Sequence, residues 1–245
     1  MLKSISKGKN INWVLVLLAF VFVAGCKTVN PPEFGGTVKD IEGNEYHTVT
    51  IGTQTWMIEN LKTTRFNDST KISMTSDSAA WTNLKVPGYC WYNNDSVANK
   101  NVYGALYNWY AVNNGKLAPK GWHVPNEEEW TVLENNVNDY LYTAGSLSKT
   151  LAAAGNWATS IRSGAIGNNI ALNNSSGFTA LPGGLRDNKG HSFNSIRLTG
   201  SWWSTTVKSD TTALSVMMNY DLNTVERYNK KKLSGLSVRC IKDSN

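Results

Sequence analysis

The chain has 245 residues, of which 17% are charged and 11% aromatic. Charged residues are scarcer than the roughly 25% of an average soluble protein, and 20 glycines stand beside only 6 prolines. These values exclude a disordered chain, a coiled coil and a collagen-like repeat, since each needs a different compositional bias. Abundant asparagine and aromatic residues are typical of a turn-rich domain that contains β-strands.

Residues 1–25 have the pattern of a signal peptide. Three lysines, Lys3, Lys7 and Lys9, precede an apolar stretch over 11–23, which is too short to span about 30 Å of hydrocarbon comfortably. Val23-Ala24-Gly25-Cys26 follows and resembles the lipobox of bacterial lipoproteins. That resemblance implies cleavage before Cys26 and acylation of Cys26, and hence a lipid-anchored protein of the bacterial envelope, in the outer membrane. An uncleaved signal anchor and ordinary secretory cleavage are the alternatives, and the membrane face stays open.

The charge of the chain depends on this leader. It holds three of the 24 basic residues and no acidic residue, so its removal lowers the net charge from +6 to +3. The basic balance is therefore largely a property of the targeting segment, and we expect no nucleic-acid partner.

Two cysteines remain after Cys26, namely Cys90 and Cys240. An even number in an oxidising envelope favours one disulfide between them. Two buried free thiols are the alternative.

The mature chain is expected to form a tether over 26–36 and one α+β domain over 37–245. Residues 37–57 alternate like strands, and 67–80 are polar like a loop. Tyr103–Val112 is apolar on nearly every face, which predicts a buried helix.

The second half of the chain contains the clearest helix. Asn126–Leu141 starts with an asparagine cap, has Glu129 at the third helical position, and carries an apolar stripe at helical spacing. A shorter helix is predicted over Ser146–Ala154, and an irregular stretch over Asn156–Thr199. Segments at 213–220, 224–228 and 236–241 are predicted to form an antiparallel meander.

Several motifs resemble the Fibrobacter succinogenes major paralogous domain. They occur in order as Ile51-Gly52-Thr53-Gln54-Thr55-Trp56-Met57, Tyr103-Gly104-x-Leu106-Tyr107-Asn108-Trp109-Tyr110-Ala111-Val112, Gly121-Trp122-His123-Val124-Pro125-x-x-x-Glu129-Trp130, Trp202-Trp203-Ser204 and Ser237-Val238-Arg239-Cys240. The resemblance covers nearly the whole mature chain and implies an envelope protein, with no settled biochemical activity.

A second resemblance concerns the fold. The Val-Pro-x-x-x-Glu-Trp helix start, the Trp-Trp-Ser strand and the final Ser-Val-Arg-Cys strand are similar to the C-type-lectin-like fold, which formylglycine-generating enzymes also use. It implies a twisted antiparallel sheet with two or three helices and long irregular binding loops. The formylglycine-generating activity does not carry over, because that family needs a cysteine pair near the C-terminus and only Cys240 is there.

Motifs of established enzyme classes are absent from the sequence. It has no HExxH, GxSxG, Walker A or CxxC pattern, and His47, His123 and His191 are far apart. A satisfied buried histidine, and not a catalyst, is the favoured interpretation of His123. A helix first turn explains Glu127, Glu128 and Glu129. We therefore expect no catalytic residues, no metal and no cofactor, although an envelope hydrolase of unrecognised type stays open.

Aromatic residues on predicted loops suggest a binding surface instead. Flat rings beside amides and charges suit sugars, which present apolar faces and directional hydroxyls. The candidate residues are Trp91, Tyr92, Trp157 and Arg186. Core packing is the alternative interpretation of these side chains. The leading functional hypothesis is a non-catalytic binding or adhesion module for glycans, and the alternative is a structural or assembly partner for another envelope protein.

Overall fold

A computed structural model describes residues 32–140 and 146–244. The predicted signal peptide, Cys26 and the predicted helix end at Leu141 lie outside the described residues. Within them, no helix combines the length and the apolar character that crossing a bilayer requires.

The described chain is a mixed α+β structure, as the sequence predicts. Its strands are β1 (Glu33–Lys39), β2 (Glu45–Ile51), β3 (Gln54–Met57), β4 (Ser73–Met74), β5 (Gly88–Cys90), β6 (Leu106–Tyr107), β7 (Trp122–His123), β8 (Gly183–Arg186), β9 (Phe193–Ile196), β10 (Thr199–Val207), β11 (Thr212–Asn219), β12 (Val225–Lys231) and β13 (Ile241–Lys242). Its helices are α1 (Ser78–Thr82), α2 (Ser96–Tyr103), α3 (Trp109–Val112), α4 (Glu127–Tyr140) and α5 (Leu147–Leu151).

A five-stranded antiparallel sheet joins the two ends of the described chain, in the order β1-β2-β3-β13-β7. The first strand begins at Glu33, inside the stretch expected to be tether, because Glu33 and Phe34 already pair with Thr50 and Val49. Gly35 and Gly36 lie where the register shifts between Phe34 and Thr37. A bulge absorbs them without ending the strand.

The C-terminal half differs from the predicted meander. Its three-stranded antiparallel sheet has the order β10-β11-β12, so β10 supplies the strand that the sequence placed at 236–241. The chain at 236–241 instead crosses the core: Leu236 exchanges backbone hydrogen bonds with Tyr107, and Ile241 pairs with both Trp56 and His123.

Helix α4 confirms the strongest local prediction. The Glu129 N–H donates to Asn126 Oδ1 at 2.9 Å, and the Asn126 N–H donates to Glu129 Oε2 at 2.8 Å. These two bonds form a reciprocal capping box, which satisfies otherwise unpaired backbone donors.

The segment 103–112 is not one helix. Its residues 106–107 form β6 and only 109–112 are helical. The stretch is buried as expected, but Tyr107 pairs with Tyr89 on one side and with Leu236 on the other. Partners distant in sequence therefore override the local pattern.

Tryptophans fill the core. Six are almost completely buried: Trp56, Trp81, Trp130, Trp157, Trp202 and Trp203. Trp130 of α4 lies 5.1 Å from Trp56 and 6.3 Å from Trp202 between ring centroids. This cluster fixes α4 against the five-stranded sheet and β10.

Candidate functional site

The predicted aromatic binding surface is not exposed. Trp91, Tyr92, Trp157 and Arg186 are all buried, and none is more than 7% exposed. The Trp157 Nε1–H donates to the Ala180 carbonyl at 3.1 Å, inside the protein. The expectation that these four residues form an exposed shelf is therefore wrong, and the alternative of core packing describes them.

Arg186, the last residue of β8, holds the segment before α1 in place. Its guanidinium lies 4.4 Å from the Trp81 ring centroid and 5.1 Å from that of Phe193. It donates to the carbonyls of Thr75, Ser76, Asp77 and Gly190. These bonds hold the turn before α1 and leave no face of the side chain open to solvent.

The predicted disulfide is not formed. Cys90 and Cys240 are both free and buried, and they pack in separate hydrophobic clusters. Burial raises the pKa of the Cys90 thiol to about 12 and that of Cys240 above its usual range. Both groups are therefore neutral thiols that act as small apolar side chains.

A polar cleft of about 510 Å³ lies beside the C-terminal strand. Thr53, Gln54 and Thr55 from the β2–β3 hairpin form one wall, and Glu129 and Val132 from the first turns of α4 form another. The chain over 241–244 completes the cleft. Helix, hairpin and C-terminal segment thus converge on one opening.

His123 links two carboxylates at this cleft. Its Nε2 lies 2.6 Å from Glu129 Oε1, and its Nδ1 lies 2.6 Å from Asp243 Oδ1. The hydrogen bond to Glu129, reinforced by Asp243 against the effect of burial, raises the pKa of His123 to about 9. At neutral pH the ring is therefore an imidazolium that donates from both nitrogens.

Local structure sets the position of each member of this group. The capping box fixes Glu129, and Gln54 Nε2 donates to the Glu129 carbonyl at 3.0 Å. The pairing of Ile241 with His123 and a bond from the Asp243 N–H to the Gly121 carbonyl (2.9 Å) bring Asp243 to the ring. Burial alone would raise the pKa of Glu129, but bonds from His123 and the Asn126 N–H outweigh it and lower that pKa. Glu129 is therefore a charged acceptor at neutral pH.

The sequence allowed part of this arrangement to be predicted. The motif that contains His123 also contains Glu129. The expected hydrogen bonding of the histidine and the capping role of the glutamate are confirmed, but the His123 side chain is 39% exposed and not buried as expected. The sequence around Asp243 does not predict its contact with His123, because the two residues lie 120 positions apart. Among the residues described here, no three His, Cys, Asp or Glu side chains are grouped so that they could hold a metal ion.

Comparison with known proteins identifies a family. The model of the Fibrobacter succinogenes major domain matches residues 49–242, a range that includes the end of β2, all of β3 and α4, His123 and β13. No curated protein and no solved structure matches the sequence. The matched range covers most of the chain, and the protein belongs to the Fibrobacter succinogenes major domain family.

Proposed function

We propose that this protein is a lipid-anchored lipoprotein of the bacterial outer membrane that acts as a non-catalytic binding module for glycans. The leader and the Val-Ala-Gly-Cys sequence support the anchor on Cys26. The observation that carries the binding function is the polar cleft beside His123. Its volume is within the roughly 300–1,000 Å³ of small-molecule sites.

The chemistry of the cleft walls suits a polyhydroxylated ligand. Sugar hydroxyls both donate and accept hydrogen bonds, and the cleft offers carboxylates on Glu129 and Asp243 beside the hydroxyls of Thr53 and Thr55. Val132, which is 40% exposed, adds an apolar edge for a sugar ring face. Because both carboxylates are bonded to His123, their orientation is set before a ligand arrives.

The same geometry argues against acid–base catalysis. A general base works best with a pKa near the operating pH and with free access to a substrate proton. His123 has a pKa of about 9 and donates from both ring nitrogens. The lowered pKa of Glu129 keeps this carboxyl ionised, so it has no proton to give. These features favour a binding role over the hydrolase alternative.

The C-type-lectin-like fold belongs to this proposal. Strands from both ends of the described chain share one antiparallel sheet, and α4 packs on it through Trp130 and Trp56. A long segment between α5 and β10 is mostly irregular, with β8 and β9 as its only strands in the described chain. Each feature agrees with a sheet that carries long loops.

A glycan array with one matched pair of variants tests the function. The parent protein is the mature chain with Cys26→Ser. It is applied to the array beside a variant that also carries Thr53→Arg, which places a long side chain at the cleft wall. Thr159→Arg makes the same change at an exposed threonine of the loop after Trp157.

We expect specific binding by the parent and by Thr159→Arg, and a loss of tenfold or more in Thr53→Arg. Equal binding by both variants would remove the cleft as the site. Absence of binding to any glycan would contradict the glycan ligand and favour the envelope-assembly alternative.

A further inference from the structure

The proposed anchor restricts which end of the domain meets the membrane. β1 begins at Glu33, seven residues after Cys26. Seven residues span at most about 25 Å, however they are arranged. A folded domain of about 210 residues has a radius of gyration near 17 Å, and hence a diameter of about 40–45 Å. A reach of about 25 Å is only slightly more than half of this diameter, so the start of β1 lies in or close to the half of the domain that is nearer the bilayer.

The register of the sheet shows what else lies at this end. Glu33 pairs with Thr50, and Thr50 pairs with Thr55. Neighbouring strands are about 4.8 Å apart, so Thr55 is about 10 Å from Glu33 across β2. The Gly52–Thr53 turn and the cleft wall therefore lie at the same end of the sheet as the start of β1.

An exposed aromatic ring marks the same end. Phe34 is 72% exposed, although it follows the first residue of a paired strand. Its ring lies over Gly177, where an added Cβ would come within 2.8 Å of the ring atoms Cε1 and Cζ. An apolar ring held in this way and left open to solvent suits the boundary between the head groups and acyl chains of a bilayer, where interfacial helices also bury Phe, Trp and Leu.

We infer that the end of the five-stranded sheet that carries Glu33, Phe34 and the Gly52–Thr53 turn rests on the bilayer surface, with the Phe34 ring among the lipid head groups. This inference depends on the proposed anchor at Cys26. The acyl chains provide the membrane affinity, and Phe34 sets the orientation. The cleft then opens beside the lipid head groups, where a ligand reaches it from the membrane surface.

A site-directed fluorescence experiment on the full lipidated protein tests this orientation. Phe34→Cys, Thr53→Cys and Ile41→Cys are each labelled with an environment-sensitive nitrobenzoxadiazole dye. The native Cys90 and Cys240 are buried and stay unlabelled. Ile41 is the matched control, because it is also apolar and exposed (48%) but follows the opposite end of β1, about 20 Å or more from Phe34.

The labelled proteins are reconstituted into phosphatidylethanolamine–phosphatidylglycerol vesicles that contain a head-group spin-labelled lipid. We expect quenching at positions 34 and 53 at least twice that at position 41. Proteins that float with the vesicles but show equal quenching at all three positions would overturn the orientation alone. Proteins that do not float with the vesicles would overturn the anchor and the orientation together.

Discussion

His123 makes the stability of the fold depend on pH in a defined direction. Its pKa is about 9 in the folded protein and 6.5 as a free side chain. A raised folded pKa means that the stabilisation is complete below about pH 6.5 and is lost as the pH rises through about 9. Because the side chain is 39% exposed, solvent screening limits the contribution to about 1 kcal/mol.

His123→Gln should therefore reduce the free energy of unfolding at pH 6 and have little effect at pH 10. Urea unfolding at both values measures this difference. His191→Gln is the control, since the structure gives the side chain of this exposed histidine no hydrogen bond. A deficit in His123→Gln that stays constant over the whole range would show that the ion pairs contribute nothing.

Arg239 stabilises the interior of the protein through buried hydrogen bonds. Its guanidinium is fully buried and donates to Asn60 Oδ1 and to the carbonyls of Met57, Phe178 and Thr179. Arg239→Met would remove these donors from three buried carbonyls, while Asn60 Oδ1 would keep only its bond from the Trp202 Nε1–H. We therefore expect a loss of about 3 kcal/mol or more. Arg162→Met removes an exposed guanidinium that bonds the Asp221 carbonyl and should cost under about 0.5 kcal/mol. Equal urea midpoints for the two variants would contradict this role.

Residue types alone did not reveal that the candidate binding side chains pack in the interior of the protein. Trp157 and Arg186 lie among glycines, serines and asparagines, which favours a loop. The chain around Trp157 is irregular, whereas Arg186 is the last residue of β8. Their side chains turn inward because acceptors exist there: the Ala180 carbonyl for Trp157, and the Thr75 carbonyl, 111 residues away, for Arg186. Such distant partners leave no mark on the neighbouring sequence.

Gly104 is the element-scale junction between α2 and β6. Its φ of 75° and ψ of −167° fall in a region that is open essentially to glycine alone. An added Cβ would also lie 2.8 Å from both Asn60 Cβ and the Leu61 carbonyl oxygen. Both the backbone conformation and the close contacts of a Cβ oppose any side chain at this junction.

Gly104→Ala should therefore lower the free energy of unfolding by more than about 2 kcal/mol. Gly115→Ala provides the comparison, because Gly115 also has a positive φ (74°) but has open space where the Cβ would stand. That variant should lose only about 1 kcal/mol. The difference between their urea unfolding curves reports the steric contact, and no difference would mean that the backbone moves to relieve it.

Elements whose signals are local were predictable, and those that depend on distant pairing were not. Helix α4 has its cap, its acidic first turn and its apolar stripe within one segment, and it forms as predicted. β6, β7 and β13 have two residues each, too few for an alternating pattern to show. They exist because backbone partners from other parts of the chain meet them, as Ile241 meets Trp56 and His123.

At the scale of the whole molecule, the five-stranded sheet joins sequence that is far apart. β13 pairs with β3 and β7, so the C-terminal segment ties the start of the domain to the start of α4. The cleft, His123 and Asp243 all depend on this closure. The family motifs predicted that these segments belong to one domain, whereas only the strand pairing shows that they build one wall.

Reduction by dithiothreitol tests whether packing, without a disulfide, holds the C-terminal strand in the five-stranded sheet. Both cysteines are free and belong to separate clusters, so dithiothreitol should leave the urea midpoint unchanged. A disulfide over so long a loop would instead contribute about 3–5 kcal/mol, which reduction would remove. A thiol reagent should titrate no cysteine in the folded mature protein and two after unfolding, since burial keeps both groups protonated and shielded. A midpoint that falls on reduction would show that a cross-link, and not the tryptophan-rich core, holds the C-terminal strand in place.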